Sequence, residues 1–133
     1  MKKKSYKPEN NPHKQNRGLK RLFLALINSI SGFNFAIKEE SAFRQELLLC
    51  LFLIPLIFIF PTSPIERILM IGSLLLLLIV ELLNSSIEAT IDRISFSHHD
   101  LSKRAKDFGS AAVLVALSLV VITYLSVLTK FLI

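Results

Sequence analysis

The chain has 133 residues, about one small domain, and 52% of them are hydrophobic, more than a soluble interior of that size can hide, so much of this surface must meet lipid or a partner. Its 16 Lys and Arg against 10 Asp and Glu leave a net charge of +6, which lies almost wholly outside the apolar runs and suits an anionic membrane surface rather than nucleic acid. A disordered chain and a collagen-like fibre are excluded by this composition, and a disulfide scaffold by the lone Cys50, which sits within an apolar run as lipid-facing or core filler.

Residues 1–17 are polar and basic, with two prolines and three asparagines, and read as a disordered basic arm. From about 19 to 37 the pattern becomes amphipathic: Leu22, Phe23, Leu26, Ile30, Phe33 and Ile37 recur at helical spacing, interrupted by Lys20, Arg21, Asn28, Ser31 and Asn34. This predicts a helix lying on the membrane surface. A fourth span and a signal peptide are the rival readings, since Leu22 to Ile37 carries no charge and follows a positive arm. Gly32, Asn28 and Asn34 would make a poor spanning core, however, and a cleaved leader would be an odd start for a chain whose N-terminus faces the cytoplasm.

Three spans follow, at about 44–61, 65–85 and 108–130. Leu47 to Ile65 is charge-free over 19 residues and Phe108 to Thr129 over 22, each long enough for roughly 30 Å of hydrocarbon. Ile68 to Val80 is also charge-free, but a full span there must accept Glu81 near its end. No alternating pattern suggests strands, and a backbone in lipid must satisfy its own hydrogen bonds, so the expected fold is all-α. Pro61 to Pro64 marks a tight connection, and Pro55 a kink in the first span. Ten basic residues lie in 1–46 and four in 84–107, whereas the 61–67 connection holds only Arg67 and the tail only Lys130. The positive-inside rule then places the N-terminus and the second connection on the cytoplasmic side and the C-terminus outside.

Acids at a membrane edge are costly and by default functional. At about 100° per residue, Glu81, Asn84, Ser85, Glu88 and Asp92 share one arc of a helix. A partly desolvated Glu81 suits a general base, and Glu88, nearer water, suits a hard cation such as Mg²⁺. Read blandly, Glu88 and Asp92 are the solvated continuation of the helix, and Glu40 and Arg44, four apart, pair across a turn. Yet Glu40 lies at the same membrane face as Glu88, and two carboxylates from different helices are what a metal bound with a phosphate substrate requires. On that face too, Lys106 and Asp107 run into Phe108-Gly109-Ser110, where a helix N-terminus would aim its N–H groups at an anion. The basic residues there also serve as topology signals, and His98-His99 lacks the spacing of a paired metal site. Gly18, Gly32, Gly72 and Gly109 are too far apart for a P-loop, so any nucleotide site must be built from helices. Together these features suggest phosphoryl transfer to a lipid hydroxyl.

Glu40-Ser-Ala-Phe-Arg-Gln-Glu46, Val80-Glu-Leu-Leu-Asn-Ser-Ser-Ile-Glu88, Asp92-Arg-Ile and Arg104-Ala-Lys-Asp-Phe-Gly-Ser-Ala-Ala-Val-Leu114 resemble the small integral-membrane diacylglycerol kinases of bacteria, over roughly residues 18 to 130. The resemblance implies a homotrimer of three-span subunits with a surface helix, moving the γ-phosphate of ATP to diacylglycerol to give phosphatidate, in phospholipid recycling. It implies Glu81 as catalytic base with Asn84 beside it, and Glu40 and Glu88 as Mg²⁺ ligands that also serve ATP. Arg21, Lys106 and Asp107 correspond to nucleotide contacts, as does Asn28, although family members often carry an aromatic there. Arg21, Ala42, Phe43, Arg44, Gln45, Glu46, Arg67, Glu81 and Ser110 correspond to the lipid pocket. The loop Ser95-Phe96-Ser97 departs from the family's glycine-serine-glutamate, and tryptophan is absent. A sister branch phosphorylates undecaprenol, but its members usually differ around Ala42 to Glu46. The rivals from other classes are a small proton-coupled transporter, which would want one acid deep in the bilayer and no Lys106-Asp107, and a pore-forming peptide, which needs no acidic stripe.

Overall fold

The computed structural model describes residues 18–131, so the basic arm at 1–17 lies outside the described residues. The chain divides into two compact units between Phe35 and Ala36. The first holds most of α1 (Leu19–Glu39). Gly18 stands before it at φ +63°, a left-handed conformation that favours glycine, and its carbonyl accepts from Arg21 N at 3.1 Å. Leu22, Phe23, Leu26 and Ile30 are all exposed on this helix.

The second unit is built from α2 (Ser41–Ile59), α3 (Pro64–Ile94) and α4 (Asp100–Leu128), followed by a 3₁₀ turn at Thr129–Phe131. All three helices are long and apolar enough to cross a membrane. The Pro61–Pro64 connection becomes a helix start through a capping box. Ser63 Oγ accepts from Glu66 N at 3.3 Å while Ser63 N donates to Glu66 Oε2 at 2.8 Å, with Pro64 in the first turn, where its missing N–H costs nothing. Lys130 pairs with Glu66, and the Phe60 and Phe131 rings lie 5.2 Å apart, so this end of the bundle is tied shut. Pro55 sits inside α2 without ending it.

The core runs down the middle of these three helices. Met70, Leu74 and Leu77 of α3 recur every three or four residues and meet Ala116, Val120, Tyr124 and Val127 of α4, with Cys50 and Ile57 of α2. Cys50 is therefore a core residue. Outside this stripe the helices stay apolar: Leu51, Phe52, Phe58, Ile68 and Val115 are each more than 65% exposed, a surface tolerable only in lipid or against another chain.

Two helix ends differ from those expected from hydropathy. α3 continues past 85 to Ile94, and α4 begins at Asp100 instead of 108. Charge-free windows report where hydrocarbon could lie, whereas helices end where the backbone is capped. Asn84 to Arg93 contains neither Gly nor Pro, and His99 Nδ1 accepts from Leu101 N at 3.2 Å to cap α4 two turns ahead of Phe108. Lys106 and Asp107 consequently lie inside α4, their N–H groups already within the helix, and the expected N-terminal anion site at Phe108 is not formed.

Leu77, wholly buried, should cost about 2–5 kcal/mol as Leu77→Ala and lower the thermal midpoint in detergent, while Ile68→Ala, 70% exposed, should have a much smaller effect.

Candidate active site

The buried stripe of α3 ends on an acid. One turn beyond Leu77 the next inward position is Glu81, only 3% exposed. Asn84, Ser85, Glu88 and Asp92 continue the arc as half-buried residues, as their spacing predicts. The charges of Glu88 and Glu40 both act on Glu81, and Glu46 of α2 also lies within electrostatic reach of it. Asn84 Nδ2 donates to Glu88 Oε1 at 3.3 Å. Asn84 Oδ1 and Glu46 Oε2 are buried without a hydrogen-bond partner, so two polar atoms at this end of the core await one.

The start of α2 supplies the neighbouring groups. Glu40 is the N-cap residue, half-buried, and it does not pair with Arg44 across the turn. Arg44 Nη1 instead donates to the carbonyls of Ile37 and Lys38 at 3.1 Å each, satisfying the last turn of α1 and fixing the corner from which α2 departs. Phe43 is buried and Ala42 and Gln45 are exposed.

Beyond Glu88, α3 and α4 open into a cleft of about 470 Å³ lined by Asp92, Ser95, Ser97, His99, Lys106 and Asp107, among others. Lys106 Nζ donates to Asp92 Oδ1 at 2.6 Å across the two helices, and Lys103 pairs with Asp107 one turn apart at 2.6 Å. Ser97 N donates to Ser95 Oγ at 3.0 Å, so the two serines that depart from the family pattern form the turn at the cleft wall. A cleft lined by lysine and carboxylates suits a polyanion that carries its own divalent cation.

The expected residues are thus only partly brought together. Glu40, Glu46, Glu81, Asn84 and Glu88 gather at one end of the bundle, with Lys106 and Asp107 in the cleft beyond, and Ser110 is exposed on α4 just past Gly109. Arg67 donates to Thr62 Oγ1 at 3.2 Å near the opposite end, 14 residues from Glu81 and so about 21 Å along the helix. Arg21 and Asn28 lie on α1 in the first unit. Two groups escaped the sequence reading of the site. Asp92 was placed on the arc but not as the partner of Lys106, and Gly109, whose signal is a helix-interior glycine, lies against Asn84.

Among the described residues no three His, Cys, Asp or Glu side chains form a metal cage. Mg²⁺ does not require one, since it takes one or two carboxylates and completes its shell with water and substrate phosphates. Glu88 and Glu40, both acting on Glu81, are carboxylates of the kind that donor set needs.

Three apolar helices, with a buried glutamate at one end and a cleft lined in part by Lys106 beyond it, fit a multi-pass membrane protein. A family profile described as prokaryotic diacylglycerol kinase matches residues 27–128, and the chain belongs to that family. It is 52% identical over 117 residues to a diacylglycerol kinase of Pseudomonas aeruginosa, covering 88% of this chain and 95% of the relative. The corresponding protein of Haemophilus influenzae is 48% identical over 107 residues, 80% of this chain and 91% of its own. That of Escherichia coli K12 is 45% identical over 107 residues, 80% and 88% respectively.

Asp92→Asn should remove the charge attraction to Lys106 with little effect on stability, because both groups are partly exposed, yet raise the ATP concentration needed for half-maximal turnover. A nucleotide titration beside a thermal melt separates the two effects.

Proposed function

We propose that this lipid kinase transfers the γ-phosphate of ATP to the free hydroxyl of diacylglycerol, giving phosphatidate and ADP. The observation that carries the proposal is a carboxylate, Glu81, buried at the top of an apolar core within electrostatic reach of Glu40 and Glu88 and below a cleft lined in part by Lys106. Family membership and relatives named diacylglycerol kinase support it.

Lipid and nucleotide come from different phases, and the site lies where both can reach. α3 has 31 residues, and about 20 suffice to cross the hydrocarbon, so Glu81 falls near the boundary and Glu88 and Asp92 beyond it. The diacylglycerol hydroxyl arrives along the apolar helices with Phe43 and Glu46 nearby. ATP enters the cleft, its phosphates facing Lys106 and its base toward the Ser95–His99 turn. Glu81 takes the hydroxyl proton as that oxygen bonds to the γ-phosphorus, and the bond to the β-phosphate oxygen breaks, leaving ADP. Exclusion of water around Glu81 keeps the phosphoryl group from hydrolysis. Glu40 and Glu88 would hold Mg²⁺, which when bound neutralises phosphate charge. Asn84 holds Glu88 in place through its 3.3 Å hydrogen bond.

The subunit reading goes with this one. One copy leaves much apolar surface uncovered, and three helices cannot enclose an acidic site away from lipid on every side, which supports a homotrimer with α1 as the amphipathic surface helix. The distribution of basic residues supports a bacterial inner-membrane location, with the N-terminus cytoplasmic and the C-terminus outside.

Radiolabelled ATP offered with mixed lipid acceptors in detergent micelles tests the activity: label in phosphatidate is expected, label in undecaprenyl phosphate would assign the sister activity, and no labelled lipid would defeat the kinase reading. Glu81→Gln should abolish turnover with the fold intact, and near-normal activity would remove Glu81 as base. Glu88→Gln should raise the Mg·ATP concentration needed for half-maximal turnover by about tenfold or more and leave the lipid titration unchanged.

A further inference from the structure

Gly109 is a buried glycine about two and a half turns inside α4, where helix propensity favours almost any other residue. A Cβ built on it would run into Asn84 Oδ1 and crowd Asn84 Cγ at 3.2 Å, whereas a Cβ at Gly72, also within a helix, would meet nothing within 4 Å. The neighbour at Gly109 is not a free side-chain end. Asn84 Oδ1 is buried, and the same amide donates from Nδ2 to Glu88 Oε1 at 3.3 Å. A carboxylate can only accept, so the amide must turn its nitrogen to Glu88 and its oxygen to Gly109. Moving the oxygen aside rotates the rigid amide plane and takes the nitrogen off Glu88.

We propose that Gly109 is a positioning residue for phosphoryl transfer: its missing side chain is the space in which the Asn84 amide stands, and through that amide α4 sets the orientation of Glu88. The proposal rests on the kinase reading above for its effect on turnover, and on packing alone for its effect on stability. A substitution of Gly by Ala within a helix ordinarily stabilises, by propensity and by restricting the unfolded chain. At position 109 the opposite sign is expected, and only while Asn84 is present.

The test is a double-mutant cycle in the full-length protein in detergent, with wild type, Gly109→Ala, Asn84→Ala and the double variant compared by thermal midpoint, and the first two also by titration. Gly109→Ala should raise the apparent KM for Mg·ATP by about tenfold and leave that for diacylglycerol within about twofold. It should lower the thermal midpoint of the wild-type chain but not of the Asn84→Ala chain. If Gly109→Ala alone does not fold, the double variant must. Wild-type Mg·ATP dependence in Gly109→Ala, an equal fall in midpoint on both backgrounds, or failure of the double variant to recover a fold lost in the single would each overturn the proposal. A wild-type protein that phosphorylates no lipid would instead defeat the kinase reading and leave the thermal cycle to decide the packing.

Discussion

Everything at the functional end of the molecule depends on keeping the carboxylate of Glu81 out of water. A charged group withdrawn from solvent costs several kcal/mol unless neighbours compensate, and here those neighbours include two further acids, Glu40 and Glu88, and an amide. Such a cluster is unfavourable by itself, and in the proposed reaction a cation and phosphates would supply the complementary charge. Low polarity around it strengthens each of those interactions. The same withdrawal that makes Glu81 costly thus makes it useful.

The two ends of the helical unit show opposite solutions to the problem of polar groups at the limits of an apolar bundle. At one end Ser63 and Glu66 cap each other, Lys130 reaches Glu66, and Thr62 Oγ1 donates to Ile57 O while accepting from Arg67, so polarity is consumed internally. At the other end Asn84 Oδ1 and Glu46 Oε2 are buried with no partner. Polar groups satisfied within the chain stabilise a fold, whereas buried ones left unsatisfied cost stability. The contrast explains why Arg67 serves the closed end while Lys106 stands in the cleft.

Much of this was legible before any coordinates. Three apolar runs required three helices because lipid offers the backbone no hydrogen bonds, and the arc Glu81, Asn84, Ser85, Glu88 and Asp92 followed from 100° per residue once that stretch was helical. Helix ends were less legible. Hydropathy marks the hydrocarbon boundary, but α3 and α4 both run well past it, because capping by His99 and an unbroken polar stretch after Asn84 decide where the backbone stops. That extension turns Lys106 and Asp107 from supposed guardians of a helix N-terminus into side chains on the wall of a cleft between two helices.

The amino-acid order alone therefore determined the class of the fold, the acidic stripe and the family likeness, since each is a matter of local period or short motif. Which groups meet across helices was decided only by tertiary packing: Lys106 with Asp92, Arg44 with the end of α1, and the amide of Asn84 with the bare backbone of Gly109. These contacts join residues 6 to 25 positions apart, and no periodicity encodes them. The pairings between α3 and α4 arise because their buried stripes can interlock in one register, and that register brings a glycine opposite the asparagine that holds Glu88.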